Sequence, residues 1–388
     1  MSAQISPLSA SVLALKARAA EAKIWLFEAA LPLWWETGFD RAAACFFESL
    51  DANAQPLAGP RRVRAQARQA FVYAAAGRLG WDGPWREAAS AGADVLLQHG
   101  LRADGGSAHV LGDDGRVRDS RRDLYDAAFI IFALAHAGRA LDRDDLLAAA
   151  HALSDWTFAH WAHPLGGLHE GEHAPAPPRR QNPHMHMLEA QLALHEATGA
   201  AQCLQRAGAI VALMRAHWIS PRWGALLEFF NDDWSPRAGD EGRIVEPGHQ
   251  FEWAWLLDRH HRLGGEDMAG IAARLHAFGE THGLDSAGYA IDEVWADGGA
   301  RTPSARLWPQ TERLKANLVQ FEATQSPAAA AAAAAACQAL QSYLFPQGHW
   351  RDRRHGDGGF KPEPAPASSF YHIMLAYMEL IRVADQLS

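Results

Sequence analysis

The segment EPGHQFEW sets His249 and Glu252 three residues apart, just after Pro247. Proline suits a first helical turn, and a spacing of three puts both side chains on one helix face. A carboxylate beside an imidazole can fix its orientation and tune its basicity, as an acid/base catalyst requires. An isolated His–Glu pair at a helix start also serves as a plain hydrogen-bonding element, so the reading depends on what accompanies it. A second segment, NPHMHMLEA, offers His184 and His186, with Asn182 as a cap and Glu189 one turn beyond His186. Its His-x-His spacing is not the HExxH of a zinc hydrolase, and neither a catalytic metal nor any other cofactor is expected.

Arg68, in RVRAQARQAF, can hold a substrate oxygen and stabilise charge developing there. His372, in SSFYHIMLAY, stands in an otherwise apolar segment, where a lone histidine is commonly a satisfied core residue. Trp34, Trp35, Trp223, Trp234, Trp308 and Trp350 flank the loops, and flat aromatic faces suit sugar rings as well as cores. Arg64, Arg179 and Arg180 could form an anion pocket, although solvent-facing arginines are commoner. No glycine-rich phosphate loop is present, which disfavours a nucleotide substrate.

Groups so far apart in sequence need a scaffold that gathers them. Alanine and leucine dominate, and apolar residues recur at three- and four-residue spacing, so the fold is mainly α. About twelve helical segments start near residues 11, 61, 84, 123, 143, 184, 201, 246, 266, 308, 327 and 368. Twelve segments make six hairpins, and the polar residues concentrate on every second one. Arg64, Gln66 and Arg68 fall on the second, Tyr125 and Asp126 on the fourth, and His184, His186 and Glu189 on the sixth. His249 and Glu252 fall on the eighth, Gln310 and Glu312 on the tenth, and Tyr371 and His372 on the last. A closed ring of hairpins, with alternate helices inside, would bring them together. The run Ala328–Ala336 suits an outer helix that packs closely on its neighbours.

At 388 residues, with 48% hydrophobic and 21% charged residues, the chain reads as one large domain spanning 1–388. A formal net charge of -9 argues against nucleic acid or an anionic membrane and for a small neutral substrate. Cys45, Cys203 and Cys337 form no paired framework, which points to a reducing compartment. The N-terminus lacks a basic start followed by an apolar core and a cleavage site, and no run of about 20 apolar residues stands out. A cytoplasmic protein is expected.

Taken together, QARQ around Arg68, NPHMHMLEA around His186, EPGHQFEW around His249, LWPQTE around Glu312 and FYH around His372 resemble the N-acylglucosamine 2-epimerase superfamily. The resemblance spans nearly the whole chain in the same order. It implies an (α/α)6 barrel and metal-independent chemistry on an opened sugar through a cis-enediolate. His249 and His372 would be the acid/base histidines. Arg68 would contact the oxygen near the reacting carbons, Asn182 and His186 would bind or help open the sugar, Glu252 and Glu312 would orient histidine and substrate, and Trp308 would pack beside the sugar. FYHIMLAY lacks the arginine that typically follows the terminal histidine in the epimerases of N-acylglucosamine or cellobiose. It is more similar to the mannose isomerase and sulfoquinovose isomerase branches, which favours interconversion of D-mannose and D-fructose, with D-lyxose as a related sugar. The expected partner is a monosaccharide, and the expected assembly is a monomer or homodimer. A 2-epimerase is the alternative. A glycosidase using two of Asp126, Glu252 and Glu312 is a more distant one.

Overall fold

A helix that is apolar or small on all sides must be buried on all sides, whereas one with a single apolar stripe covers a core from outside. Both kinds alternate along this chain. The computed structural model describes residues 7–387; residues 1–6, where the N-terminal reading begins, and Ser388 lie outside the described residues. The helices are α1 (Pro7–Trp25), α2 (Leu31–Glu36), α3 (Val63–Arg78), α4 (Trp85–Val95), α5 (Leu124–Leu141), α6 (Asp144–His160) and α7 (Gln181–Thr198). They continue with α8 (Ala201–Leu213), α9 (Pro247–Arg262), α10 (Ala269–His282), α11 (Leu307–Thr324), α12 (Pro327–Gln341) and α13 (Ser369–Gln386). A single π turn, Leu26–Ala30, joins α1 to α2, so the thirteen stretches make the twelve rods that the spacing predicts.

α3, α5, α7, α9, α11 and α13 form the inner ring, each packed on the next, with α13 closing against α3. In α3 every residue from Ala65 to Ala76 is buried. The outer helices bury one stripe each; in α6 it is Leu146, Ala150, Leu153, Ser154 and Thr157. The alanine run lies in α12, an outer helix against α1 and α11, as expected. Its Ala330, Ala333, Ala336, Cys337 and Leu340 face inward, and Ser326 caps it through a bond from the Ala329 amide. α5 is long and apolar enough to cross a membrane, with mean hydropathy 1.3 over 18 residues, but 78% of it is buried inside the barrel.

Two-residue strands, which helical periodicity does not reveal, fasten the loops at one mouth. Arg61–Arg62 pairs with Val110–Leu111, Arg179–Arg180 with Phe229–Phe230, and Ala305–Arg306 with Arg353–Arg354. Ile244–Val245 pairs with the strand Glu293–Trp295, and Ala365–Pro366 returns to Ser49–Leu50. Each first-named strand runs directly into, or ends just before, an inner helix, so five of the six inner N-termini are tied to a neighbouring loop in this way, and α5 is tied by the single bridge of Asp123 with Gly171.

Candidate active site

All six inner helices begin at that fastened mouth. A cleft of about 340 Å³ there is lined by Arg68, Tyr125, Asn182, His186, His249, Glu252, Trp308 and His372. Each stands in the first two turns of its helix, where free backbone N–H groups and the positive dipole end face a ligand. Glu312 does not reach the cleft; it is fully buried behind His372.

His372 Nδ1 lies 2.9 Å from Glu312 Oε1. An ionised carboxylate only accepts, so Nδ1 carries the proton and Nε2 presents a lone pair. Burial, then the charges of Arg68 and Lys315, hold this imidazole well below its usual 6.5, so it is neutral at neutral pH. Glu312 is fixed in turn by the Thr311 hydroxyl at 3.1 Å and by Lys315 Nζ, an ion pair at 2.6 Å. Lys315 is itself fully buried and sits 3.8 Å from the Trp255 ring centre.

His249 lives under the opposite field. Its Nδ1 lies 2.9 Å from Glu228 Oε2. Burial opposes its charge, but the negative charges of Glu228 and Glu246 prevail and push it up to about 9. The two histidines are therefore driven to different protonation states, the arrangement that separates an acid from a base at one pH. The expectation that Glu252 orients His249 is corrected, because Glu228 holds Nδ1. Glu252 instead lies 3.9 Å from His186 Nδ1. Burial and the charge of Glu312 raise the Glu252 carboxyl well above its usual value.

Trp308 packs near both histidines, its ring centre 5.0 Å from that of His249 and 5.8 Å from that of His372. Gly248 makes this possible, since a Cβ there would stand 2.4 Å from the indole. Among the described residues Arg68 has no carboxylate partner. Its guanidinium donates to the Ser368 carbonyl at 3.1 Å and to Tyr125 Oη at 2.8 Å and lies 4.0 Å from the Phe129 ring centre. Such an uncompensated cation suits an oxygen that gains charge during reaction. His186 is bonded through Nδ1 to Glu189 at 3.4 Å, and burial lowers it to about 4.

Some expectations are redistributed. Asn182 is not a cap: Arg180 holds that position, and Asn182 is the second residue of α7, with Oδ1 left without a protein partner. His184 is structural; Nε2 accepts from the Leu168 amide and Nδ1 donates to the Arg180 carbonyl. Among the tryptophans named above, Trp34 and Trp350 stack on each other in the core, Trp234 is buried, and Trp308 alone lines this cleft. Arg64, Arg179 and Arg180 are each neutralised, by Asp126 at 3.0 Å, Asp232 at 2.7 Å and Glu170 at 2.6 Å. Asp126 is fully buried between Arg64 and His109, and Glu312 is behind His372, so neither faces the cleft as half of a hydrolytic carboxylate pair.

Three clusters bring possible metal-ligand atoms within 4.8 Å of one another: His186 with Glu189 and Glu252, Glu228 with Glu246 and His249, and Glu252 with Glu312 and His372. Their members come from different helices and loops, which is why spacing in sequence misses them. Cations already serve these carboxylates. Arg306 bonds Glu246 at 2.8 Å, Lys315 pairs with Glu312, and the charge of Lys315 also acts on Glu189 and Glu252. Sequence reasoning missed Glu228, Arg306 and Lys315, and it gave no role to Tyr371, whose hydroxyl donates to Glu189. Glu228 is a lone loop residue with no local pattern to betray it.

A family model described as N-acylglucosamine 2-epimerase matches residues 45–376. A protein named mannose-6-phosphate isomerase from Rhizobium meliloti (strain 1021) is 41% identical over 376 residues, covering 94% of this chain and 96% of its own length. A protein named D-mannose isomerase from Thermobifida fusca is 35% identical over 191 residues, covering 43% of this chain and 46% of its own. A crystal structure of D-mannose isomerase superposes with a TM-score of 0.82 at 21% identity, covering 95% of this chain and 97% of the other, which places the fold among the (α/α)6 barrels. On the family match and the full-length relative, this chain belongs to the N-acylglucosamine 2-epimerase family and is a sugar isomerase or epimerase.

Proposed function

We propose that the chain is an aldose–ketose isomerase that interconverts D-mannose and D-fructose by proton transfer between C2 and C1 in a reducing cytoplasm. The observation that carries the reading is the pair of cleft histidines held in opposite protonation states, His372 neutral on Glu312 and His249 charged on Glu228. His372 Nε2 takes the C2 proton of the opened aldose. The C2–H electron pair becomes the C1–C2 double bond, and the carbonyl π pair moves onto O1. Arg68 faces that developing charge, and His249 supplies a proton to the oxygens. Returning the proton from His372 to C1 while His249, neutral after giving its proton to O1, takes the O2 proton yields the ketose; the epimer needs a proton delivered to C2 from the face opposite His372. Trp308 covers an apolar face of the sugar. No step in this scheme uses a metal, because proton transfer and charge stabilisation are both supplied by side chains.

A second reading adds a 6-phosphate to the substrate. It is favoured by the name of the 41% relative and by an adjoining cleft of about 710 Å³ that shares Arg62, Arg68, Tyr125 and Asn182 with the first and contains His109 and His173. Its arginines Arg62, Arg64 and Arg180 already face Glu48, Asp126 and Glu170, which favours the unphosphorylated sugar as the primary substrate. The test is to incubate the purified protein separately with D-mannose, D-mannose 6-phosphate, D-lyxose, N-acetylmannosamine and cellobiose and to identify products by chromatography. D-Fructose from D-mannose supports the proposal. A higher kcat/KM for the phosphate ester moves the assignment to the second reading, and 2-epimers without any ketose overturn both.

A further inference from the structure

The chain has four lysines, Lys16, Lys23, Lys315 and Lys361, and the fold encloses Lys315 alone; the other three are partly or fully exposed. Enclosing an ammonium is costly unless its neighbours offset the lost hydration. Lys315 stands on α11 one turn after Glu312, on the same helix face. The two oxygens of that carboxylate have separate tasks: Oε1 accepts His372 Nδ1–H at 2.9 Å, and Oε2 faces Lys315 Nζ at 2.6 Å. The second contact is an ion pair without hydrogen-bond alignment, so charge rather than bond direction holds it. The Trp255 ring on α9 adds a cation–π contact, its centre 3.8 Å from Nζ.

The charge of Lys315 also reaches Glu252 on α9, Glu189 on α7 and His372 on α13, and Arg68 on α3 acts on the same imidazole. Tyr371 on α13 donates to Glu189. The helix α12, which also packs on α11, brings no charged side chain, and His276 and Glu280 of α10 are engaged by Asn317 and Arg313. Glu189, Glu252 and Glu312 are all buried, and among the described residues Glu312 is the carboxylate paired with Lys315. Without the ammonium, Glu312 would be a buried carboxylate beside two others, a setting in which a carboxyl holds its proton. A protonated carboxyl donates. Facing His372 Nδ1, it makes that nitrogen the acceptor and leaves the ring proton on Nε2, the nitrogen that must offer a lone pair. We propose that Lys315 is a positioning residue for the reaction: it holds Glu312 as an acceptor toward His372 and so fixes the tautomer whose Nε2 can take a proton from the sugar. The inference rests on reading His372 as the base.

The first test needs no substrate. NMR of the full chain, with histidine labelled in heavy nitrogen and His372 assigned from the signal lost in His372→Asn, reports which ring nitrogen carries the proton at neutral pH. Wild type should show Nδ1–H, and Lys315→Met, which keeps the apolar stem, should move His372 largely to Nε2–H. The second test is steady-state kinetics on the sugar that turns over fastest in the comparison above. Lys315→Met should lose roughly 10- to 10²-fold in kcat with KM changed by less than about twofold, because it alters the placement of the base and touches no substrate. Lys315→Met combined with Glu312→Gln should be no slower than Glu312→Gln alone, since both act through one carboxylate. If circular dichroism shows Lys315→Met unfolded, the same readings are made on Lys315→Met combined with Glu189→Gln against Glu189→Gln, a pair that removes one buried charge of each sign. A tautomer and kcat that survive the loss of Lys315, with only the melting temperature lowered, would overturn the inference. So would a combined Lys315 and Glu312 variant far slower than Glu312→Gln, because Lys315 would then act by another route. Wild-type His372 protonated on Nε2 would overturn the reading of the base and the inference with it. If no sugar turns over, the proposed function fails while the spectrum still decides the role of Lys315.

Discussion

Replacing Glu228 with glutamine isolates the electrostatics at His249. The carboxylate lies 2.9 Å from Nδ1 and is 3% exposed, so water screens it weakly. The rise of His249 from 6.5 to about 9 corresponds to about 3 kcal/mol in favour of the imidazolium. Glu228 and Glu246 supply this against burial. Glu228 Oε2 receives both His249 Nδ1 and the Gln181 amide at 2.8 Å, so a glutamine keeps the shape and one acceptor while losing the charge. We expect Glu228→Gln to move the alkaline limb of kcat/KM for ketose formation from near 9 toward neutrality by about one to two pH units. The stability sign is set by the same shift. A folded pKa raised above 6.5 adds stability that is complete below 6.5 and is lost as pH climbs through about 9. The melting difference between wild type and variant should therefore be greatest near pH 6 and close above about 9. Initial rates from roughly pH 6 to 10, paired with melts at both ends, check this. An alkaline limb that stays near 9 in the folded variant would refute the electrostatic assignment.

Three further outcomes follow from the same geometry. Glu312→Gln removes the acceptor charge that fixes the His372 tautomer and should cost roughly 10²- to 10⁴-fold in kcat with little change in KM, read from steady-state rates. Arg68→Met removes the cation facing the developing oxyanion and should cost about 10²- to 10³-fold in kcat while circular dichroism is unchanged. Exhaustive treatment with EDTA should leave turnover intact; loss of activity that one divalent ion restores would assign the carboxylate clusters to a metal instead.

The inner helices were legible because burial on both faces and an N-terminal polar residue leave a local imprint. His249, Trp308 and His372 each sit within the first turn of an inner helix, where the sequence switches abruptly from loop to apolar run. The supports of the two histidines differ in this respect. Glu312 is part of a helix-start motif, and its bond to His372 joins two inner helices that both had a readable signal. Glu228 sits in a loop 21 residues before His249 and reaches it only because the strand Phe229–Phe230 is fastened to Arg179–Arg180. A two-residue strand has no periodicity to read. The i,i+3 rule put Glu252 on the face of His249 but not at its nitrogen, because Nδ1 turns toward Glu228 while Glu252 faces His186. Lys315 looks like an ordinary surface lysine in sequence; only the closed ring reveals it as fully buried between Glu312 and Trp255.

The central claim is proton transfer between C2 and C1 of an opened sugar, and it is tested most directly by running the reaction on D-mannose in heavy water. A histidine that holds the abstracted proton exchanges it with solvent, so NMR should find D-fructose carrying deuterium at C1. D-Fructose without solvent deuterium would contradict an exchanging histidine base. Deuterium found only at C2 of an epimer, with no ketose at early or late times, would contradict the isomerase assignment.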